Sequence, residues 1–100
     1  MEVQVKSLGG KGYAFAEKSK TPISPARLIA LVLFTEEAGP DLFLVPTVEW
    51  NYPSALLVSR DYLGKKSKPE WGISISAKTR PILERFRFDA VLSRIEAGAA

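Results

Sequence analysis

The sequence contains neither cysteine nor histidine. Without cysteine there is no disulfide, no thiolate zinc site and no thiol nucleophile, and the composition suits a reducing compartment. Without histidine, the commonest general base and the commonest transition-metal ligand are both gone. Any metal would be a hard ion held by carboxylates, carbonyls and water. Long apolar runs are missing too. None approaches the roughly 18 residues of a membrane span, and the N-terminus, which carries Glu2, lacks a signal-peptide apolar core. The expectation is a cytoplasmic protein that does not engage a membrane.

What is present describes an ordinary globular chain. One hundred residues, 46% hydrophobic and 25% charged, suffice for one domain with one core. The net charge of +3 is modest but unevenly spread. Residues 21–59 carry Arg27 against Glu36, Glu37, Asp41 and Glu49. Residues 60–87 carry eight Lys and Arg against Asp61, Glu70 and Glu84. A basic segment beside an acidic one is what a polyanion-binding surface requires, and it is equally the pattern of a solvated lysine-rich loop.

The strongest structural signal is Arg27 to Pro46. Leu28-Ile29-Ala30-Leu31-Val32-Leu33-Phe34 has no polar residue, and Asp41-Leu42-Phe43-Leu44-Val45-Pro46 follows a turn containing Glu36, Glu37, Gly39 and Pro40. This reads as a hairpin whose first strand is covered on both faces, since a strand with one wet face would alternate.

Around this hairpin the chain alternates in short pieces. Glu2 to Ser7 places Glu2, Gln4 and Lys6 on one face and Val3 and Val5 on the other, which predicts a short strand with one polar face. Glycines 9, 10 and 12 break it before a second short strand, Tyr13 to Ala16. Glu17 to Pro25 reads as a loop. Thr47 to Trp50 reads as a helical turn capped by Thr47, Ala55 to Ser59 as a strand, and Arg60 to Glu70 as a basic loop. Trp71, Ile73 and Ile75 share one face of a further strand. Thr79 is placed to cap a helix with Pro81 in its first turn. Ile82, Leu83, Phe86, Phe88, Val91, Leu92 and Ile95 form a helical stripe, broken near Asp89, that packs on the sheet. The prediction is therefore an α+β domain over residues 1–96, with a mixed or antiparallel sheet of about four to six strands, a C-terminal helix and a frayed end at 97–100.

Three stretches carry candidate chemistry. Gln4 and Lys6, two apart on one strand face, suit a hard cation and a phosphate, with the lysine steadying developing charge. The same pattern is also simply a polar sheet face. Arg60, Lys65, Lys66 and Lys68, interleaved with Tyr62 and Trp71, suit nucleic-acid phosphates, although Trp71 fits a core role better than a base platform. Gly64-Lys65-Lys66-Ser67 lacks the first glycine of a phosphate-binding loop and is not a nucleotide site. The paired Glu36 and Glu37 at the hairpin tip read as solvated carboxylates.

Taken in order, several features resemble the C-terminal half of the PD-(D/E)XK nuclease superfamily. They are the Gln-Val-Lys-Ser strand, the glycine break, the apolar hairpin ending in Val-Pro, the aromatic turn, the Trp-Gly-Ile-Ser strand and the Phe-containing helix. The likeness spans roughly residues 3 to 95 through short motifs. It implies a restriction-endonuclease-like core in which Gln4 stands where that family has an acidic or Gln metal-binding residue and Lys6 stands for its lysine. Mg²⁺ is the implied cofactor and nucleic acid the implied partner. The family's other metal ligand is an acid on an earlier strand, and this sequence starts at the Gln-x-Lys strand. The expectation is thus a half-site: a nuclease-related nucleic-acid-binding domain, catalytically incomplete alone. The alternative is an interaction module that dimerises, or pairs with a partner chain, through its N-terminal edge strand.

Overall fold

The computed structural model describes residues 2–9, 12–34, 39–64 and 66–99. Six strands appear in order: β1 Glu2–Gly9, β2 Gly12–Glu17, β3 Arg27–Phe34, β4 Asp41–Pro46, β5 Leu57–Arg60 and β6 Glu70–Ile75. They divide into two three-stranded sheets, β1-β3-β4 and β2-β6-β5. The class is mixed α+β, as the sequence predicts, with the strands distributed over two sheets. The division has a simple cause. β1 and β3 are parallel, and a parallel pair cannot be joined by a tight turn. The intervening chain leaves the first sheet, forms β2 in the second, and returns through residues 18–26.

The apolar hairpin forms around an antiparallel β3–β4 pair, with Ile29 opposite Val45 and Leu31 opposite Phe43. Its Glu36-Glu37 turn lies outside the described residues. Leu28 to Leu31 are all buried, so β3 is covered on both faces at its start. On one face, Ile29, Leu31, Leu33, Phe43 and Val45 join Ala14, Ala16, Leu57, Ile73 and Ile75 of the second sheet in a single hydrophobic cluster.

Two threonines expected to cap helices do something else. Thr47 lies within a 3₁₀ turn, Thr47–Asn51, that Pro46 precedes. Its buried hydroxyl donates to the Ser24 carbonyl and accepts from the Ser24 N–H, each at 3.0 Å. It thereby satisfies both backbone groups of the returning loop. Thr79 precedes the short helix α1, Arg80–Leu83, without capping it. Its hydroxyl donates to the Ser74 carbonyl at 2.7 Å and accepts from the Ser76 N–H at 2.9 Å, closing the end of β6.

The C-terminal stripe breaks two residues before Asp89. After α1 and a 3₁₀ turn, Glu84–Phe86, Arg87 becomes extended and bridges Phe43 on the outer edge of β4. Helix α2, Phe88–Ala99, then begins with Asp89 in its first turn, where a carboxylate suits the helix N-terminus. Val91 is buried, and Val91 and Ile95 line a groove of about 220 Å³ with Pro46 and Phe86. Among the described residues no helix is long and apolar enough to cross a membrane.

The break is held by charge. Arg80 contacts Asp41 at 2.9 Å and Glu84 at 3.2 Å; Arg87 contacts Asp41 at 3.5 Å and also pairs with Glu84. Both guanidinium groups lie 5.5 Å from the Phe43 ring centroid. Hydrogen bonds from Arg87, and then from Arg80, lower the Glu84 pKa below its usual 4.5. Because the folded-state pKa is depressed, the stabilisation is present above the unfolded-state value and is lost as pH falls through the folded one. Glu84→Gln is therefore expected to destabilise at pH 7, by under about 1 kcal/mol because the group is partly solvated. The difference from wild type should vanish well below pH 4, where both chains carry a neutral side chain. Urea titrations at pH 7 and pH 2.5 check this, and an equal difference at both values would remove the charge explanation.

Candidate functional site

The first candidate lies on β1. The strand alternates as expected, but its wet face is the other one. Gln4 and Lys6 are half-buried, whereas Val3 and Val5 are 52% and 64% exposed. Register explains it. Gln4 pairs with Ile29 and Lys6 with Leu31, both on the face turned to the common core, while Val3 and Val5 pair with Leu28 and Ala30 on the opposite face. Helix α2 packs along β4, at the other side of that sheet, and leaves the two valines uncovered.

Gln4 is held in place by the returning loop. Its Oε1 accepts from the buried Thr21 hydroxyl at 3.0 Å. The Thr21 carbonyl in turn accepts from Trp71 Nε1 at 2.9 Å. Trp71 sits on the core cluster and carries Lys18 4.2 Å above its ring, so it is a packing residue as expected. Glu2 shares the Gln4 face, but its carboxylate is drawn across the sheet to Arg27, 2.7 Å away. Among the described residues no group of three or more acidic side chains is placed to hold a metal. Gln4 offers one neutral amide oxygen, already accepting one hydrogen bond, where Mg²⁺ demands a near-complete octahedron of oxygens. These residues by themselves do not fit the ion.

The basic segment lies elsewhere. Lys65 falls outside the described residues. Arg60 ends β5 on the outward face of the second sheet, 4.3 Å above the Tyr13 ring. Lys68 faces Glu17 at 3.9 Å, and Lys66 is exposed. Arg60 and Lys68 are thus on the outward side of the second sheet, while Gln4 and Lys6 face inward from the first. Among the described residues, the fold does not bring Arg60 and Lys68 into one site with Gln4 and Lys6.

Between Arg60 and Lys68 lies a feature that sequence reasoning missed. Glu17, Glu70 and Arg60 are register partners in one row across β2, β6 and β5. Glu70 is only 8% exposed. Its neighbour is the Tyr13 phenol, whose pKa is pushed far up, first by burial and then by the adjacent Glu70 carboxylate. Among the described residues, neither the Tyr13 hydroxyl nor Glu70 Oε2 has a hydrogen-bond partner. Glu70 stands at a loop-to-strand boundary in the sequence. Only strand pairing places it beside Tyr13, 57 positions away, so no local signal could have identified the row.

A second concavity, about 260 Å³, is lined by Glu49, Tyr52, Arg85 and Arg94 among others. Its two arginines come from the break and from α2, outside the Arg60, Lys65, Lys66 and Lys68 set picked out in the sequence. No protein-family model, curated protein or solved structure matches the chain.

Proposed function

We propose that this chain is a nuclease-related nucleic-acid-binding domain that does not hydrolyse phosphodiesters by itself. One observation carries the reading. β1 presents Gln4 and Lys6 on one face and, among the described residues, pairs on one side only. A strand added at that edge would stand next to both side chains, and an acid on it would supply the charge that a Mg²⁺ site lacks here. Phosphate contact falls to the outward cations Arg60, Lys66 and Lys68, with Lys65 between them in sequence. Arg60 and Lys68 work at reduced strength because Glu70 and Glu17 stand beside them.

Fluorescence anisotropy of a labelled DNA duplex tests the reading. Binding should weaken steeply with salt, require no Mg²⁺, and lose about one unit of logarithmic salt slope for each phosphate contact removed by Lys66→Gln or Lys68→Gln. No binding at about 50 mM salt, where such contacts are strongest, rejects it.

The other reading is an interaction module with no nucleic-acid role. The exposure of Val3 and Val5 beside an unpaired edge favours it, because natural proteins ordinarily cover or charge such an edge.

A further inference from the structure

We infer that the occupant of the β1 edge is β1 of a second copy, paired antiparallel about a two-fold axis through Gln4. The inference rests on the unpaired edge used above and names what fills it.

The two edges of the first sheet are treated differently. On the β4 side, Arg87 bridges Phe43 and closes part of the edge. On the β1 side no described residue pairs with the strand. The exposed stretch has no proline and no bulge: Glu2 to Gly9 run in unbroken one-to-one register with Arg27 to Phe34. An edge of this kind recruits another strand through its free N–H and C=O groups.

The side chains choose the strand. In an antiparallel pair centred on Gln4, Glu2 stands opposite the partner's Lys6, and Lys6 opposite the partner's Glu2. Val3 meets the partner's Val5, and Gln4 meets the partner's Gln4 on the axis. Opposed residues share a face in antiparallel pairing, so both charge pairs lie with the glutamines on one face and four valines line the other. Shifting the register by two residues in either direction separates the charges. Parallel self-pairing in register would set Glu2 against Glu2 and Lys6 against Lys6, which like-charge repulsion disfavours. The sequence Glu-Val-Gln-Val-Lys is therefore complementary to itself in one arrangement. Valines 3 and 5, exposed in one copy, become two cross-strand apolar pairs. The product is a continuous six-stranded sheet, β4-β3-β1 followed by the same strands of the partner in reverse order. It also brings to each Lys6 a carboxylate from the other chain, Glu2, which contacts its own Arg27 through one oxygen and keeps the other for the lysine; within one copy Glu2 and Lys6 stand about 13 Å apart along the strand and do not meet. Five residue pairs make a small interface, so association belongs to the weak class of contacts under about 1,200 Å².

The chain has no cysteine, so register can be read by crosslinking. Full-length Val3→Cys and Val5→Cys variants are mixed at equal concentration and oxidised under mild conditions. The expected result is a mixed disulfide joining the two variants, formed at least about fivefold faster than either homodimeric disulfide, because only Val3 and Val5 face each other across the pair. Equal rates for all three products, or no crosslink at all, overturns the proposal. Sedimentation equilibrium supplies an independent arm. Glu2→Lys and Lys6→Glu should each weaken dimerisation by roughly tenfold, and the double reversal Glu2→Lys/Lys6→Glu should recover most of it. A double variant no better than the singles, or a wild-type monomer at about 1 mM, where contacts of this size should be populated, overturns it. DNA anisotropy on the same samples judges the nucleic-acid reading separately, so either can fail while the other stands.

Discussion

Trp50→Ala is expected to remove about 3–5 kcal/mol of stability, a large part of what a domain of this size possesses. Trp50 stands in the Thr47–Asn51 turn and is 2% exposed. Its ring leans against Trp71 at 6.4 Å between centroids, and its Nε1 donates to the Gly72 carbonyl at 3.2 Å. The turn is attached to the first sheet through β4, and Gly72 is in the middle of β6, so this one side chain joins the two sheets. Truncation leaves a cavity the size of an indole and takes from the Gly72 carbonyl a hydrogen bond made in addition to the strand ladder in which Gly72 is paired on both sides, and both losses act at the same place. Trp50→Phe restores most of the packing but not the hydrogen bond, and should cost about 1–2 kcal/mol. Urea denaturation followed by circular dichroism measures both without relying on tryptophan fluorescence. A Trp50→Ala protein within about 1 kcal/mol of wild type would mean that the sheets are joined elsewhere.

Gly72→Ala should be the most damaging single-methyl addition, at about 1–3 kcal/mol. A methyl group at position 72 would lie 2.0 Å from the Tyr13 hydroxyl and 2.3 Å from the ring carbon bearing it. Tyr13 lies across Gly72 on the outward face of the second sheet, stacked on Phe15 at 6.3 Å and covered by Arg60. The ring must swing away, giving up these contacts and exposing the Glu70 carboxylate beside it. The cost therefore belongs to the pair. Tyr13→Ala alone loses the same packing, and once it is made, Gly72→Ala should cost almost nothing further. A double-mutant cycle should thus give a coupling of about 1 kcal/mol or more. Additive effects would show that the glycine is required for some other reason.

The sequence marked out the elements well where hydrophobic period was decisive. The unbroken apolar run from Leu28 to Phe34, flanked by turn residues, left little choice but a doubly covered strand. The pattern Trp71-Ile73-Ile75 specified an inward face from three residues. Local composition also identified the helical stripe after Thr79, because spacings of three and four have no other use. At Thr47 and Thr79 the same local rules misled. A threonine before a helix has two competing partners, the helix N–H groups and whatever backbone the fold brings alongside. Here Ser24 and the end of β6 won, at contacts that no window of sequence contains.

The candidate site divides in the same way. Gln4 and Lys6 were legible as neighbours on one face because a strand repeats every two residues. Whether that face was wet was not legible, since it depends on the returning loop bringing Thr21 over Gln4 and on α2 packing along β4. The separation of Arg60 and Lys68 from the β1 face, and the Glu17-Glu70-Arg60 row between them, arise from strand order alone. Local physics determined what each stretch of this chain is, because period, turn residues and charge act over a few residues. Only the tertiary structure decided which faces meet, which edge stays unpaired among the described residues and which charges are neutralised. Those outcomes depend on pairings between residues tens of positions apart, and single stretches carry no record of them.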